Sequence, residues 1–318
     1  MADVTQDTPE AVKTRTAENN AVAAAPVKVE TPLARFVSEY CDSTIAVIAF
    51  LVLVAIILAA IFAPWITPQN PYDLATVSIM DSRMPPGSQA FDGYTFWLGT
   101  DGAGRDLYSA ILYGLRVSLS VGVMSAVIAL AVGMAVGLVA AYAGGRTEAI
   151  IMRIVDVQLS FPAILIALIL LALLGKGIDK IIFALVIAQW AYYARTVRGS
   201  ALVERSKEYV EAARCLALPH RRVVFRHIMP NCLPPLIVVV TVQTASAIAL
   251  EATLSFLGVG LPPTEPSLGL LISNGFEYMM SGSYWIAIFP GVALLITIMS
   301  INLVGDRLRD VLNPRLSK

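Results

Sequence analysis

Six apolar runs divide this chain, and they leave it few ways to fold. They cover roughly residues 44–66, 117–142, 157–175, 180–199, 233–257 and 284–304. A hydrocarbon layer about 30 Å thick needs roughly 20 helical residues to cross it, and each run meets or approaches that length. The runs are continuously apolar instead of alternating, so they predict helices and not the strands of a barrel. Only 14% of the 318 residues are charged, against roughly 25% in soluble domains. The expected class is an all-α membrane protein with six transmembrane helices. The third and fourth runs are separated only by Lys176 to Lys180, so their boundary is the least defined.

The first 40 residues differ. They are rich in Ala, Thr, Glu and Val, with no aromatic residue before Phe36. This composition reads as a flexible tail at 1–40, with the membrane domain at 41–318. No charged segment leads into a short apolar stretch with a cleavage site, so the first span reads as a retained anchor. Cys41, Cys215 and Cys232 have no metal-ligand spacing and read as small packing residues.

Lys and Arg placement predicts the orientation. The loop between the fourth and fifth spans holds Arg198, Arg205, Lys207, Arg214, Arg221, Arg222 and Arg226, and the C-terminal segment adds Arg307, Arg309, Arg315 and Lys318. The loop from Gly258 to Tyr284 has no Lys or Arg. Six spans then place both termini and the basic loop in the cytoplasm.

That loop reads EYVEAARCLALPHRRVVFRHIMPN from Glu208 to Asn231. On a wheel of about 100° per residue, Glu204, Lys207, Glu208, Glu211 and Arg214 share one side. Leu202, Tyr209, Ala212, Ala213 and Leu216 share the other. Such a helix could lie on the bilayer surface. Two alanines on its apolar stripe instead favour close approach by a soluble partner.

Glu211, Ala212, Ala213 and then Pro230 after a fixed gap resemble the EAA loop of ATP-binding-cassette (ABC) importer permeases. His227 to Asn231 and the segment Trp97 to Gly122, WLGTDGAGRDLYSAILYGLRVSLSVG, are similar to the dipeptide, oligopeptide and nickel permeases, in their C-type subunit. The resemblance covers about residues 97 to 314. It implies a type I importer (MetI-like) permease fold with a coupling helix at about 203–230. The residues carried over to ATPase coupling are Glu208, Tyr209, Glu211, Ala212, Ala213, Arg214, Ala217, Pro230 and Asn231. The family glycine is Ala217 here and the usual Leu before the Pro is Met229. Ala217 implies a turn made without a residue of positive φ at that point, with Pro219 ending the first helix instead.

The resemblance also implies the partners: a homologous second permease, two ABC ATPases, an extracytoplasmic substrate-binding protein and membrane lipid, with no nucleic acid. The implied location is the bacterial inner membrane, and the implied cargo is a short peptide moved by alternating access. Nickel chelates, glutathione or another small solute are the alternatives. An ATP-independent secondary transporter would carry broken helices, paired ionisable residues along a path and an inverted repeat. None of these is visible in the sequence.

The chain has no phosphate-binding G-x-x-x-x-G-K-[ST] loop. His220 and His227 lack acidic partners spaced for a triad or a metal site. No catalytic, cofactor-binding or metal-ligating residue is identified; ATP and Mg belong to the partner ATPases.

Three further features carry expectations. Asp101, Arg105 and Asp106 precede a membrane helix, and Asp106 reads as its N-cap. Gly133 and Gly137 form a GxxxG pair suited to close helix packing. Gln243, Ser246, Glu251 and Ser255 place polar groups in the fifth span, on a translocation path or within the bundle. Glu251 is an intramembrane carboxylate, which insertion scales penalise by about 2.5–3.5 kcal/mol. It could meet the amino group of a peptide. The setting EATLSFLG, familiar across family members with different cargo, favours hydrogen bonding within the bundle.

Overall fold

The computed structural model describes residues 31–73, 77–90, 93–262 and 264–312. Most of the expected tail lies outside these residues. Part of it does not: α1, Pro32–Cys41, is helical, with Thr31 as N-cap and Pro32 at its first position, where the missing N–H costs nothing. Residues from Ser43 onward form a separate compact unit.

That unit begins with α2, Thr44–Ile66, capped by Ser43. Its buried positions are Ala46, Ala49, Ala60 and Ala63, while Ile48, Leu51, Ile57, Leu58 and Ile61 are exposed. A helix apolar all round, with its large side chains outward, is suited to lipid. A two-stranded hairpin follows, β1 (Ser88–Gln89) against β2 (Thr95–Phe96), antiparallel with Ser88 opposite Phe96. Trp65 and Trp97 both stand out from the surface at this end, as an interfacial position requires.

The central helix α3 runs Leu107–Ala143 and starts ten residues before the expected second span. At 1.5 Å per residue its 37 residues reach about 55 Å, more than the hydrocarbon thickness. The extra turns contain Tyr108, Ser109, Tyr113 and Arg116. They are too polar to register as an apolar run but well able to extend a capped helix. Asp106 is the N-cap, as expected: its carboxylate accepts from the Ser109 amide at 2.9 Å. Burial pushes that carboxyl up from its ordinary value, while the Ser109 hydrogen bonds pull the other way. Asp101 accepts from Arg105 Nε at 2.7 Å and from the amides of Ala103 and Arg105. The charge cluster thus satisfies itself while shaping the entry to α3.

The expected third span does not exist as one helix. Residues Gly145–Ser160 (α4) and Ala163–Leu174 (α5) meet at an 88° bend. Phe161, at φ −96° and ψ 140°, is extended because the ring of Pro162 disfavours a helical residue before it. α6 follows at Ile178–Arg205, long enough to cross but charged towards both ends. Next come α7 (Glu208–Cys215), α8 (Leu233–Phe256), α9 (Leu268–Phe276) and α10 (Trp285–Leu312). Among the described residues, α2, α3, α8 and α10 are long and apolar enough to span, and the bent pair makes five. The six runs are all helical; what changes is that two of them cross less simply than their composition implied.

α3 and α6 form the closest pair. A Cβ on Gly133 would stand 2.6 Å from the Trp190 carbonyl oxygen, and one on Gly137 would stand 2.6 Å from that of Ala194. The GxxxG pair is therefore a packing face where backbone meets backbone. Two ion pairs fasten α4 along α6, Glu148 with Arg198 and Asp156 with Arg195.

Candidate functional site

Two polar regions stand out, one at each end of α8. The first surrounds α7. Ser206 and Lys207 leave the helical region, and Lys207 is extended at ψ 147°. The wheel drawn through 202–216 as one helix is therefore broken: α6 ends and α7 restarts with a new phase. Glu208 and Glu211 fall in the first turn of α7 and Arg214 in its last, each placed favourably in the helix dipole.

The new phase separates the two alanines. Val210 and Ala213 are buried, packed in one cluster with Val223, Ile228, Cys232 and Leu236. Glu208, Tyr209, Glu211, Ala212, Arg214 and Leu216 are on the exposed side. The expectation that both alanines lie on an outward stripe is corrected: Ala213 packs on its own chain and only Ala212 is free for a partner. Val210, absent from the wheel's apolar side, is the second inward anchor.

α7 ends in a turn that needs a left-handed residue. The Leu218 amide donates to the Ala213 carbonyl at 3.2 Å and the Ala217 amide to that of Arg214 at 2.9 Å. This is the Schellman pattern. Ala217 sits at φ +50°, so the expectation of a turn without positive φ is also corrected. The six-to-one hydrogen bond dictates the conformation, whichever residue stands there. Pro219 starts the next helical stretch, whose residues Val223–Ile228 form a π turn. Pro230 follows after Met229, and the wider turn accommodates its missing N–H and its ring.

Side chains bind this element to the bundle. Arg205 Nη1 donates to the Ala141 carbonyl at 2.7 Å, satisfying one of the last acceptors of α3. Tyr142, one residue on, contacts His220 Nδ1 through its hydroxyl. The Arg214 guanidinium lies over its ring at 5.8 Å. Asn231 donates to the His227 carbonyl at 2.6 Å. The roles of Tyr142 and Arg205 were not legible in the sequence, because neither belongs to the motif and both act across more than 60 positions.

The second region is the polar face of α8. Glu251 is fully buried. Ser118 of α3 donates to its Oε2 at 2.8 Å and Ser255 to its Oε1 at 2.8 Å. The Ser118 hydroxyl also accepts from the Leu268 amide at 3.4 Å, at the start of α9, whose N-cap is Ser267. The carboxylate thus joins three helices and makes no ion pair among the described residues. Gln243 behaves differently. Its backbone carbonyl accepts from Gln189 at 3.4 Å. With Tyr192, Arg195, Thr196, Val242 and Arg309 it lines an open cleft of about 840 Å³. Ser246 is half-buried between the two. No cluster of three or more His, Cys, Asp or Glu able to hold a metal occurs among the described residues.

Residues 133–318 match the family "binding-protein-dependent transport system inner membrane component", and residues 31–86 match "N-terminal TM domain of oligopeptide transport permease C". The dipeptide transport system permease protein DppC of Escherichia coli K12 is 39% identical over 94% of this chain and 98% of its own length. The di/tripeptide transport system permease protein DppC of Pseudomonas aeruginosa is 35% identical over the same shares. The oligopeptide transport system permease protein OppC of Bacillus subtilis is 37% identical over 88% of each chain. Among solved structures, an inward-facing conformation of the MetNI methionine ABC transporter matches with a TM-score of 0.53 at 19% identity, covering 64% of this chain and 96% of that one. At that identity the match shows the fold alone.

Proposed function

The chain belongs to the family of binding-protein-dependent transport system inner membrane components, and on that premise we propose that it is the permease subunit through which an ATP-driven importer moves short peptides across a bacterial inner membrane. The relatives named above carry dipeptide, di/tripeptide and oligopeptide names, which supports a peptide cargo over a nickel chelate or glutathione. In this reading a homologous second permease completes the path, two ATPase subunits bind ATP and Mg on the cytoplasmic side, and an external binding protein delivers cargo. α7 is the coupling helix and faces the ATPases. Glu208, Glu211 and Arg214 make polar contacts there, and Ala212 allows close approach.

The observation that carries this is the two-faced anchoring of α7. Val210 and Ala213 hold it to the bundle, while Glu211 and Ala212 on this eight-residue helix, and Leu216 just past its end, are left exposed. Closure of the ATPases would push on that outer face. The helix bundle would then exchange inward-open and outward-open states, one stabilised over the other by nucleotide.

The test is import and assembly with the cognate partners. Ala212→Trp and Glu211→Lys should insert normally yet lower import at least tenfold, since overpacking a fitted contact costs about 1–3 kcal/mol. Both should weaken co-purification of the ATPases or uncouple hydrolysis from binding-protein addition. Full import by the Ala212→Trp complex would show that α7 is not the coupling element.

A further inference from the structure

Only two buried side chains, Val210 and Ala213, hold the inner face of α7, and both are small. Such a contact resists separation but does little to stop the helix from rolling. Arg214 over Tyr142 steadies its far end, and a separate chain of polar contacts constrains its first turn. Glu204, in the last turn of α6, is largely buried. Its Oε1 accepts from Lys207 Nζ at 2.6 Å and its Oε2 from the Tyr209 hydroxyl at 2.5 Å. The same tyrosine oxygen accepts from Asn231 Nδ2 at 3.2 Å. Asn231 stands just before α8. One carboxylate therefore links the end of α6, the first turn of α7 and the approach to α8.

The capacities of the groups match this use. The tyrosine has one hydrogen to donate, and it goes to the carboxylate; its lone pair takes the amide. The carboxylate bond is charge-assisted and so among the stronger kinds. The Lys207 contact is half-exposed and of the kind that contributes little alone. Glu204 and Tyr209 form the core of the link.

We propose that Glu204 is a positioning residue that, through Tyr209, makes α7 and the ends of α6 and α8 move as one body, so that displacement of the coupling helix reaches the bundle undiminished. The proposal rests on the reading of α7 as the ATPase-docking helix. It assigns to Glu204, which lies outside the EAA motif, a role in coupling strength and not in docking.

The test uses the whole transporter, both permeases with ATPases and binding protein, in proteoliposomes. Glu204→Gln and Tyr209→Phe keep side-chain shape while weakening or removing the link. Glu204→Gln should retain ATPase co-purification, and each variant should raise the ATP consumed per peptide imported by about tenfold, the population shift that loss of a charge-assisted hydrogen bond produces. The double variant should resemble the Tyr209→Phe variant, because both substitutions act on the same bond. A second measurement needs no cargo. Spin labels on exposed native Cys215 and on Val203→Cys, with Cys41 and Cys232 replaced by Ala, report the distance from α7 to α6. The parent should show one narrow distribution with and without trapped nucleotide, and the variants a broadened one when nucleotide is trapped. Unchanged distributions, or effects of the two substitutions that multiply, would overturn the proposal. A complex that moves its labels as described but imports no peptide would contradict the cargo reading and leave the positioning role standing.

Discussion

At the scale of the residue, Ala217 shows how a backbone requirement outlives the residue that suits it best. The Schellman hydrogen bonds from Leu218 and Ala217 fix the left-handed conformation. An L-residue there loses about 1–2 kcal/mol to the clash of its Cβ with the carbonyl. Glycine would remove that strain but lose about 0.4–1 kcal/mol through its freer unfolded chain. Ala217→Gly should therefore stabilise the end of α7 by a few tenths of a kcal/mol to about 1 kcal/mol. Ala217→Val should destabilise it, since a β-branched residue is a poor occupant of positive φ. Hydrogen exchange at the Leu218 amide is the direct measurement, because that N–H closes the motif. Slower exchange in the glycine variant and faster exchange in the valine variant are expected. Equal rates in all three would mean that the turn opens by a route that does not involve this residue.

At the scale of the element, sequence reasoning located helices well and their faces less well. The apolar runs announced α2 and α8 almost to the residue and the start of α10, which continues past its run to Leu312, because length and composition decide whether a helix can cross lipid. The phase of α7 was beyond reach. A wheel assumes one continuous helix, and the extended Lys207 resets it. Burial of Val210 is then decided by Val223 and Ile228, more than ten positions away. The bend between α4 and α5 was half legible. Pro162 stands at the bend, but proline alone does not say whether a helix kinks or turns through 88°. α8 illustrates a different limit, a polar residue whose partners lie on other helices. Glu251 joins α8 to α3 through Ser118, whose hydroxyl also takes the Leu268 amide at the start of α9, partners that its own run could not identify. Glu251→Gln keeps the shape and part of the hydrogen bonding. It should weaken that junction by about 1–2 kcal/mol and lower import of every accepted cargo by a similar factor. Uptake of peptides with free and with blocked amino termini measures this. A loss confined to cargo with a free amino terminus would instead place the carboxylate on the path.

At the scale of the whole molecule, every step of the coupling reading depends on which end of the bundle meets the ATPases. The charge pattern supplies a physical basis for an answer. Seven Lys and Arg side chains lie between Arg198 and Arg226, and none lies between Gly258 and Tyr284, so the α7 end is expected in the cytoplasm. The fold keeps these two segments at opposite ends of α8, a helix of 24 residues that extends about 36 Å. The charge asymmetry is thus an asymmetry across the bundle and not merely along the chain. Single cysteines can read it in intact cells. Ser206, beside α7, and Met280, in the turn between α9 and α10, are both exposed. Ser267 is fully buried and would resist any reagent. In a background with Cys41, Cys215 and Cys232 replaced, an impermeant thiol reagent added outside should label position 280 and spare 206. Breaking the membrane should then admit the reagent to 206. Labelling of 206 in intact cells with 280 protected would invert the molecule, put α7 on the face without ATP, and remove the basis for reading it as the helix that receives the ATPase stroke.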